Sequence, residues 1–237
     1  MNTKKKILIG LISFALIAAI ICSIWLFVFY VRDRREKREW QQFVEIYRAN
    51  KIQTYEEENL MYEDYEVDVA FLGDSLTDGY DVKNYYSDYK VVNRGIGGDT
   101  TFDLEKRLKV SVYDLKPKVA VMLIGANNFK TMFENYEKIL IGFKENLPQT
   151  KIVLLSLTSM GGEHWGENNQ LAAFNNFKIK KLAEKYGFEF VDLYTPLLNL
   201  ETNEIYSEYT TDGGHLTPKG YEVVTAQVTP VLENLLN

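Results

Sequence analysis

Val67-Asp68-Val69-Ala70-Phe71-Leu72-Gly73-Asp74-Ser75 is the stretch from which the fold can be read. A short apolar run stops abruptly at a glycine, an aspartate and a serine. Four further runs share that form. They are Val91-Val92 before Asn93-Arg94-Gly95, Val119 to Ile124 before Gly125-Ala126-Asn127, Ile152 to Leu155 before Ser156, and Phe188 to Leu193. Continuous apolar runs, unlike alternating ones, are the pattern of strands buried on both faces. Helical stretches fall between them: 103–108, and 136–146, which stops before Pro148. Leu171, Phe174, Phe177 and Leu182 predict the apolar face of a third helix. Thr217-Pro218 opens a last one, with an N-cap followed by proline at the first helical position. Strands alternating with helices build right-handed βαβ units and a mostly parallel sheet, here of five strands. The ligand site of such a sheet lies beyond the C-terminal ends of its strands.

The whole chain has 237 residues, 46% of them hydrophobic, enough for one globular domain with a short appendage. A net charge of −6 argues against nucleic acid as a partner. The single cysteine, Cys22, excludes an internal disulfide and any Cys-pair zinc motif. Asp78 and Asp99 have no histidine or cysteine near them in sequence, so they read as loop and cap residues. Neither a metal nor a cofactor is expected. Any imidazole chemistry falls to His164 or His215, the two histidines of the chain.

Residues 7–31 carry no charged side chain. A helix of that length rises about 37 Å, more than the roughly 30 Å of a bilayer's hydrocarbon core. Lysines 4–6 precede it, and Arg32, Arg34, Arg35, Lys37 and Arg38 follow. A cleaved signal peptide would be shorter and end in a small-x-small site, and a lipoprotein signal would need a small residue where Ile21 precedes Cys22. The expectation is therefore one transmembrane anchor over 1–35, a juxtamembrane spacer over 36–66 and the main domain over 67–237. Trp40, Phe43, Ile46 and Tyr47 recur at helical spacing within the spacer. The anchor implies a single-pass protein of the cell membrane. The basic flanks lean slightly toward a cytoplasmic C-terminus, but the domain is expected on the extracytoplasmic side, where an envelope substrate would lie.

The strand ends carry a constellation. Ser75 follows the first strand directly, and a serine hydroxyl becomes a nucleophile once a base takes its proton. His215 is the available base, and Asp212, three residues earlier, can fix its tautomer and stabilise the imidazolium. Donors for a developing oxyanion are the Ser75 and Gly98 backbone amides and the Asn127 side-chain amide. Each feature alone has an ordinary explanation: a serine after a strand, a histidine before a helix, an asparagine in a turn. Together they place four segments of the right chemistry at strand ends inferred independently.

Those four segments resemble the blocks of the GDSL, or SGNH, hydrolase family. Gly73-Asp74-Ser75-Leu76 is similar to its signature, and Asn93-Arg94-Gly95-Ile96-Gly97-Gly98-Asp99-Thr100 to its second block, with Gly98 at the oxyanion glycine. Gly125-Ala126-Asn127 is similar to the third and Asp212-Gly213-Gly214-His215 to the last. The resemblance covers about residues 67–237. It implies a flavodoxin-like three-layer α/β/α sandwich and ester hydrolysis through an acyl-serine. The second and last blocks look most like the branch related to platelet-activating-factor acetylhydrolase, which suggests a short acyl group. One position departs from the pattern: Asn128 stands where the family usually has aspartate, which puts any binding role of that aspartate in doubt. Gly-x-Ser-x-Gly is absent, so an α/β-hydrolase elbow is not supported.

Other residues invite two readings each. His164 and Trp165 lie in a glycine-flanked loop after the fourth strand, and either border a substrate pocket with Asn128 or form an exposed loop with one packed aromatic. Arg94 reads as the partner of a strand-end carboxylate, Asp74 or Asp99. Tyr80, Tyr85, Tyr86 and Tyr89 suit either a carbohydrate platform or core packing. The sequence as a whole predicts a membrane-anchored serine esterase acting on a small-molecule, glycan or lipid ester. An O-acetyltransferase of envelope polysaccharide and an inactive binding module are the alternatives.

Overall fold

The computed structural model describes residues 3–237, and their side chains except at 4–15 and 17–19. The elements in chain order are α1 (Thr3–Asn59), β1 (Val69–Gly73), α2 (Ser75–Asp78), α3 (Val82–Tyr85), β2 (Val91–Gly95), α4 (Thr101–Lys106), β3 (Val119–Leu123), α5 (Phe133–Asn146), β4 (Lys151–Leu155), α6 (Gly162–Trp165), α7 (Asn169–Tyr186), β5 (Glu189–Val191), α8 (Tyr194–Leu197), β6 (Leu198–Asn199), β7 (Glu204–Ile205) and α9 (Pro218–Leu236). The chain divides into two compact units, Met1–Ala49 and Asn50–Asn237.

In the second unit, five parallel strands form one sheet in the order β2-β1-β3-β4-β5. Val69 pairs with Val91 on one side and Val119 on the other, so β1 is an interior strand. Every residue of β1 and β3 is buried, which is why both read as unbroken apolar runs. Phe71, Leu72, Val121 and Met122 join the main core, while Ala70 and Val92 close a smaller cluster with Val67 and Leu115. Tyr80 and Tyr86 are core residues, with hydroxyls 2.9 Å apart. Thr217 caps α9 and Pro218 is its first residue, as the sequence predicts.

The face of α7 differs from expectation. Phe174 and Phe177 are 58% and 62% exposed. The buried positions are Asn169, Ala172, Asn175, Asn176, Ile179 and Ala183. The amides turn inward because strand-end loops need partners for their backbone groups. Asn176 bonds both the N–H and the carbonyl of Leu157, and Asn175 donates to the Phe129 carbonyl.

The expected membrane span is corrected. Among the described residues no helix is long and apolar enough to cross a membrane. Positions 7–15 and 17–19 of the expected span lie outside the described side chains. The part of the expected span whose side chains are described is Leu16 and Ile20 to Val31. Beyond it α1 is charged, with Arg32–Glu36, Arg35–Glu39 and Lys37–Asp33 pairs. Trp40, Phe43 and Ile46 are exposed on the same helix. Its last residues, from Asn50, belong to the second unit.

Candidate active site

Ser75 is the first residue of α2, immediately past the end of β1. The turn is sharp: a Cβ on Gly73 would lie 2.2 Å from the Leu123 carbonyl oxygen and the Thr77 hydroxyl. Asp74 caps the turn, its Oδ1 accepting from Leu76 N–H at 3.1 Å. The Tyr221 hydroxyl donates to the Leu76 carbonyl at 2.9 Å, tying α2 to α9.

His215 arrives from the segment before α9. Its Nε2 lies 3.0 Å from Ser75 Oγ, and its Nδ1 lies 2.7 Å from Asp212 Oδ2. The other Asp212 oxygen accepts from the Gly214 and His215 backbone N–H groups at 2.9 and 2.8 Å. Burial alone would raise the Asp212 carboxyl. The His215 N–H, the imidazole and the Gly214 N–H outweigh it and hold the group down to about 2. The carboxylate therefore stays charged, which suits it to fix one tautomer of the ring. Gly213 has φ +93°, and a Cβ there would come within 1.9 Å of the Gly161 carbonyl oxygen. That contact lets the loop before α6 approach the histidine. Trp165 follows, its ring edge-on to the imidazole at 5.7 Å.

The flanking strands supply the remaining expected groups. Gly98 lies beyond the end of β2 and Asn127 beyond β3, on either side of β1. Gly98 has φ +82°, and a Cβ added there would meet nothing within 4 Å, so glycine is required by conformation and not by crowding. Among the described residues its N–H has no acceptor, whereas the Gly97 N–H donates to Asp78 Oδ2 at 2.9 Å. The Asn127 amide donates to the Asp99 carbonyl at 3.0 Å. An amide NH₂ has two donors, so this bond orients it and leaves one N–H.

Asn128 is tied to the head of α4: its Oδ1 accepts from Thr101 N–H at 3.3 Å and its Nδ2 lies 2.9 Å from Thr101 Oγ1. It also lines a cavity of about 510 Å³ together with Asn127, Phe129, Trp165 and Asn168. His164 is exposed. The structure thus brings Ser75, His215 and Asp212 into one chain of hydrogen bonds with Trp165 against it, and leaves His164 outside that chain.

One charged residue that the sequence did not single out, Arg107, holds the frame. Arg107 pairs with Asp99 at 2.7 Å and donates to the Gly73 and Arg94 carbonyls at 3.0 and 2.8 Å, pinning the ends of β1 and β2. Arg94 takes neither Asp74 nor Asp99; it is fully buried and pairs with Glu58 and Asn59 of α1. Arg107 already occupies Asp99, and Asp74 is engaged in its cap with the Leu76 N–H. Asp74 is fully buried with Oδ2 unbonded. Burial pushes its carboxyl up to about 7 against the pull of the Leu76, Ala126 and Gly125 amides, and Asp99 adds to the rise.

Residues 71–223 match the GDSL-like lipase/acylhydrolase family. The chain belongs to that family. As a GDSL hydrolase it is a serine ester hydrolase. Human platelet-activating factor acetylhydrolase IB subunit alpha2 is 37% identical over 182 residues, covering 73% of this chain and 79% of that one. Two solved structures share the fold. A GDSL-like lipase from Bacteroides thetaiotaomicron superimposes with a TM-score of 0.69 at 24% identity, over 77% of this chain and 97% of that one. An acetyl xylan esterase from Geobacillus stearothermophilus gives 0.59 at 19%, over 71% and 95%.

Proposed function

We propose that this GDSL hydrolase cleaves short acyl esters, acetyl above all, of a carbohydrate alcohol through an acyl-serine. The reading rests on one observation: the unbroken hydrogen-bond chain from Ser75 through His215 to Asp212. Ser75 Oγ attacks the ester carbonyl carbon as its proton passes to His215 Nε2. The Gly98 and Ser75 amides and the Asn127 side chain receive the oxyanion. Collapse of the tetrahedral intermediate breaks the bond to the alcohol, which leaves with the proton from His215. Water then attacks the acyl-enzyme, again with His215 as base, and acid and free serine result.

The acetyl group is supported by the kinship to an acetylhydrolase and by the fold shared with an acetyl xylan esterase. A carbohydrate alcohol is supported by the cavity beside Asn127, which the Trp165 indole lines together with the amide side chains of Asn127, Asn128 and Asn168. Hydrolysis is favoured over transfer to a sugar hydroxyl because the His215 and Asp212 side chains are each 43% exposed, so water reaches the acyl-enzyme freely. The test is turnover of p-nitrophenyl acetate, butyrate and octanoate, with acetylated oligosaccharide as the natural-type substrate. Ser75→Ala is expected to lower kcat by about 10⁴-fold or more. Undiminished turnover in that variant overturns the acyl-serine, and a preference for octanoate overturns the short acyl group.

A further inference from the structure

The family match begins at residue 71, yet the second unit begins at Asn50. The intervening turns of α1 reach the loop that carries Gly98. Lys51, Tyr55, Glu58 and Asn59 are spaced i, i+4, i+7 and i+8 and so share one helix face. All four are engaged. The Tyr55 hydroxyl, on a side chain only 3% exposed, donates to the Gly95 carbonyl at 2.6 Å. Glu58 and Asn59 hold Arg94, whose guanidinium also lies 4.6 Å from the Tyr55 ring centre. Lys51 Nζ lies 2.6 Å from Asp78 Oδ1, and the opposite oxygen of Asp78 takes the Gly97 N–H. Asp78 is itself the last residue of α2, the helix that Ser75 opens.

We propose that Lys51 and Tyr55 are positioning residues for the oxyanion-binding loop, and that the end of α1 is part of the catalytic apparatus. The inference rests on the acyl-serine reading above. Its physical basis is the softness of the loop. Gly97 and Gly98 are consecutive glycines, and Gly98 sits at positive φ, so the chain itself does little to fix the direction of the Gly98 N–H. An oxyanion donor works only if it is aimed before charge develops. Asp78 anchors the residue immediately before that donor and ties it to the nucleophile helix. The ammonium of Lys51 holds the anchoring carboxylate from the far side, and Tyr55 fixes the strand end two residues earlier. A hydrogen bond to an ionised acceptor held in this way is shorter and stronger than a neutral one.

The experiment is steady-state kinetics of the full chain with p-nitrophenyl acetate, alongside inhibition by a trifluoromethyl ketone, whose serine adduct places an oxyanion in the same position. Lys51→Met is expected to lower kcat about 10-fold with KM within about twofold, and to weaken the ketone in proportion to kcat/KM, since the loss falls on the charged intermediate. Lys51→Arg restores most of the rate. Tyr55→Phe lowers kcat in the same direction. Lys116→Met breaks an ion pair with Asp64 of the same 2.6 Å length, away from this loop, and leaves kcat unchanged. Melting temperatures measured on the same variants separate a loss of aim from a loss of fold. Unchanged kcat in Lys51→Met overturns the inference. So does a loss that follows the melting temperature and is not rescued by arginine. Ser75→Ala in the same assay separates the two ideas. An inactive Ser75→Ala beside an unimpaired Lys51→Met sinks the positioning role alone, whereas an active Ser75→Ala sinks the acyl-serine reading beneath it.

Discussion

At the scale of single side chains, two carboxyls near the reacting groups are driven in opposite directions. Asp212 accepts the imidazole and two backbone N–H groups, and these hold it down to about 2. The folded chain gains from its ionised form above the ordinary carboxylate range, and that gain is lost only as the pH falls toward 2. Asp74 is sealed at the end of β1 and pushed up to about 7. An unfolded aspartate titrates near 3.9. Between about pH 4 and 7 the folded chain therefore binds more protons at Asp74 than the unfolded chain does, and stability falls as the pH rises across that window. Asp74→Asn keeps an oxygen to cap Leu76 and removes the titration. Urea unfolding from pH 4 to 7.5 is expected to show the wild type losing about 1–4 kcal/mol relative to the variant. Parallel pH curves for the two proteins would contradict this assignment.

At the scale of elements, glycines separate conformation from crowding. Gly98→Ala meets no neighbour but forces alanine to φ +82°. The strain is about 1–2 kcal/mol, or roughly 5 °C in melting temperature for a domain of this size. Activity is expected to fall further than stability, about 10-fold or more in kcat/KM, because the displaced amide is the one proposed to receive the oxyanion. Gly213→Ala instead drives a methyl into the Gly161 carbonyl, so fold and activity fail together. Thermal melts measured beside kcat/KM distinguish these, and a Gly98→Ala protein with full activity would remove that amide from the site. Such turns were legible in the sequence because tight strand ends demand glycine, and strands buried on both faces demand unbroken apolar runs. The burial of α7 was not legible. Asn175 and Asn176 displace phenylalanines from the inner face because they bond backbone groups of loops distant in sequence, and periodicity of apolar residues carries no trace of that need. The contact face of α1 was hidden for a related reason: Lys51, Tyr55, Glu58 and Asn59 recur at helical spacing but lack the apolar periodicity that marks a packed face.

At the scale of the whole molecule, the position of Arg94 decides where the second unit begins. Its side chain is fully buried, and its ionic partner Glu58 lies outside both the family match and the sequence-derived domain start at 67. Removing one partner of a buried pair leaves an uncompensated charge and costs about 3–5 kcal/mol. That is a large share of the roughly 5–15 kcal/mol by which domains are stable. Loss of Tyr55 would also open its contact with the end of β2. A chain of residues 50–237 keeps both interactions and all of the second unit. It is expected to melt within about 2 °C of the full chain and to keep its kcat. A chain of residues 67–237 retains Ser75, Asp212 and His215 and every residue of the family match. It is nevertheless expected to melt about 10 °C lower and to lose most of its turnover. Equal stability and kcat for the two chains would mean that Arg94 finds another partner and that the end of α1 is dispensable. The comparison reads both quantities from the same pair of proteins, so a fall in kcat beyond what the population of unfolded chains accounts for isolates the contribution of the helix to the site.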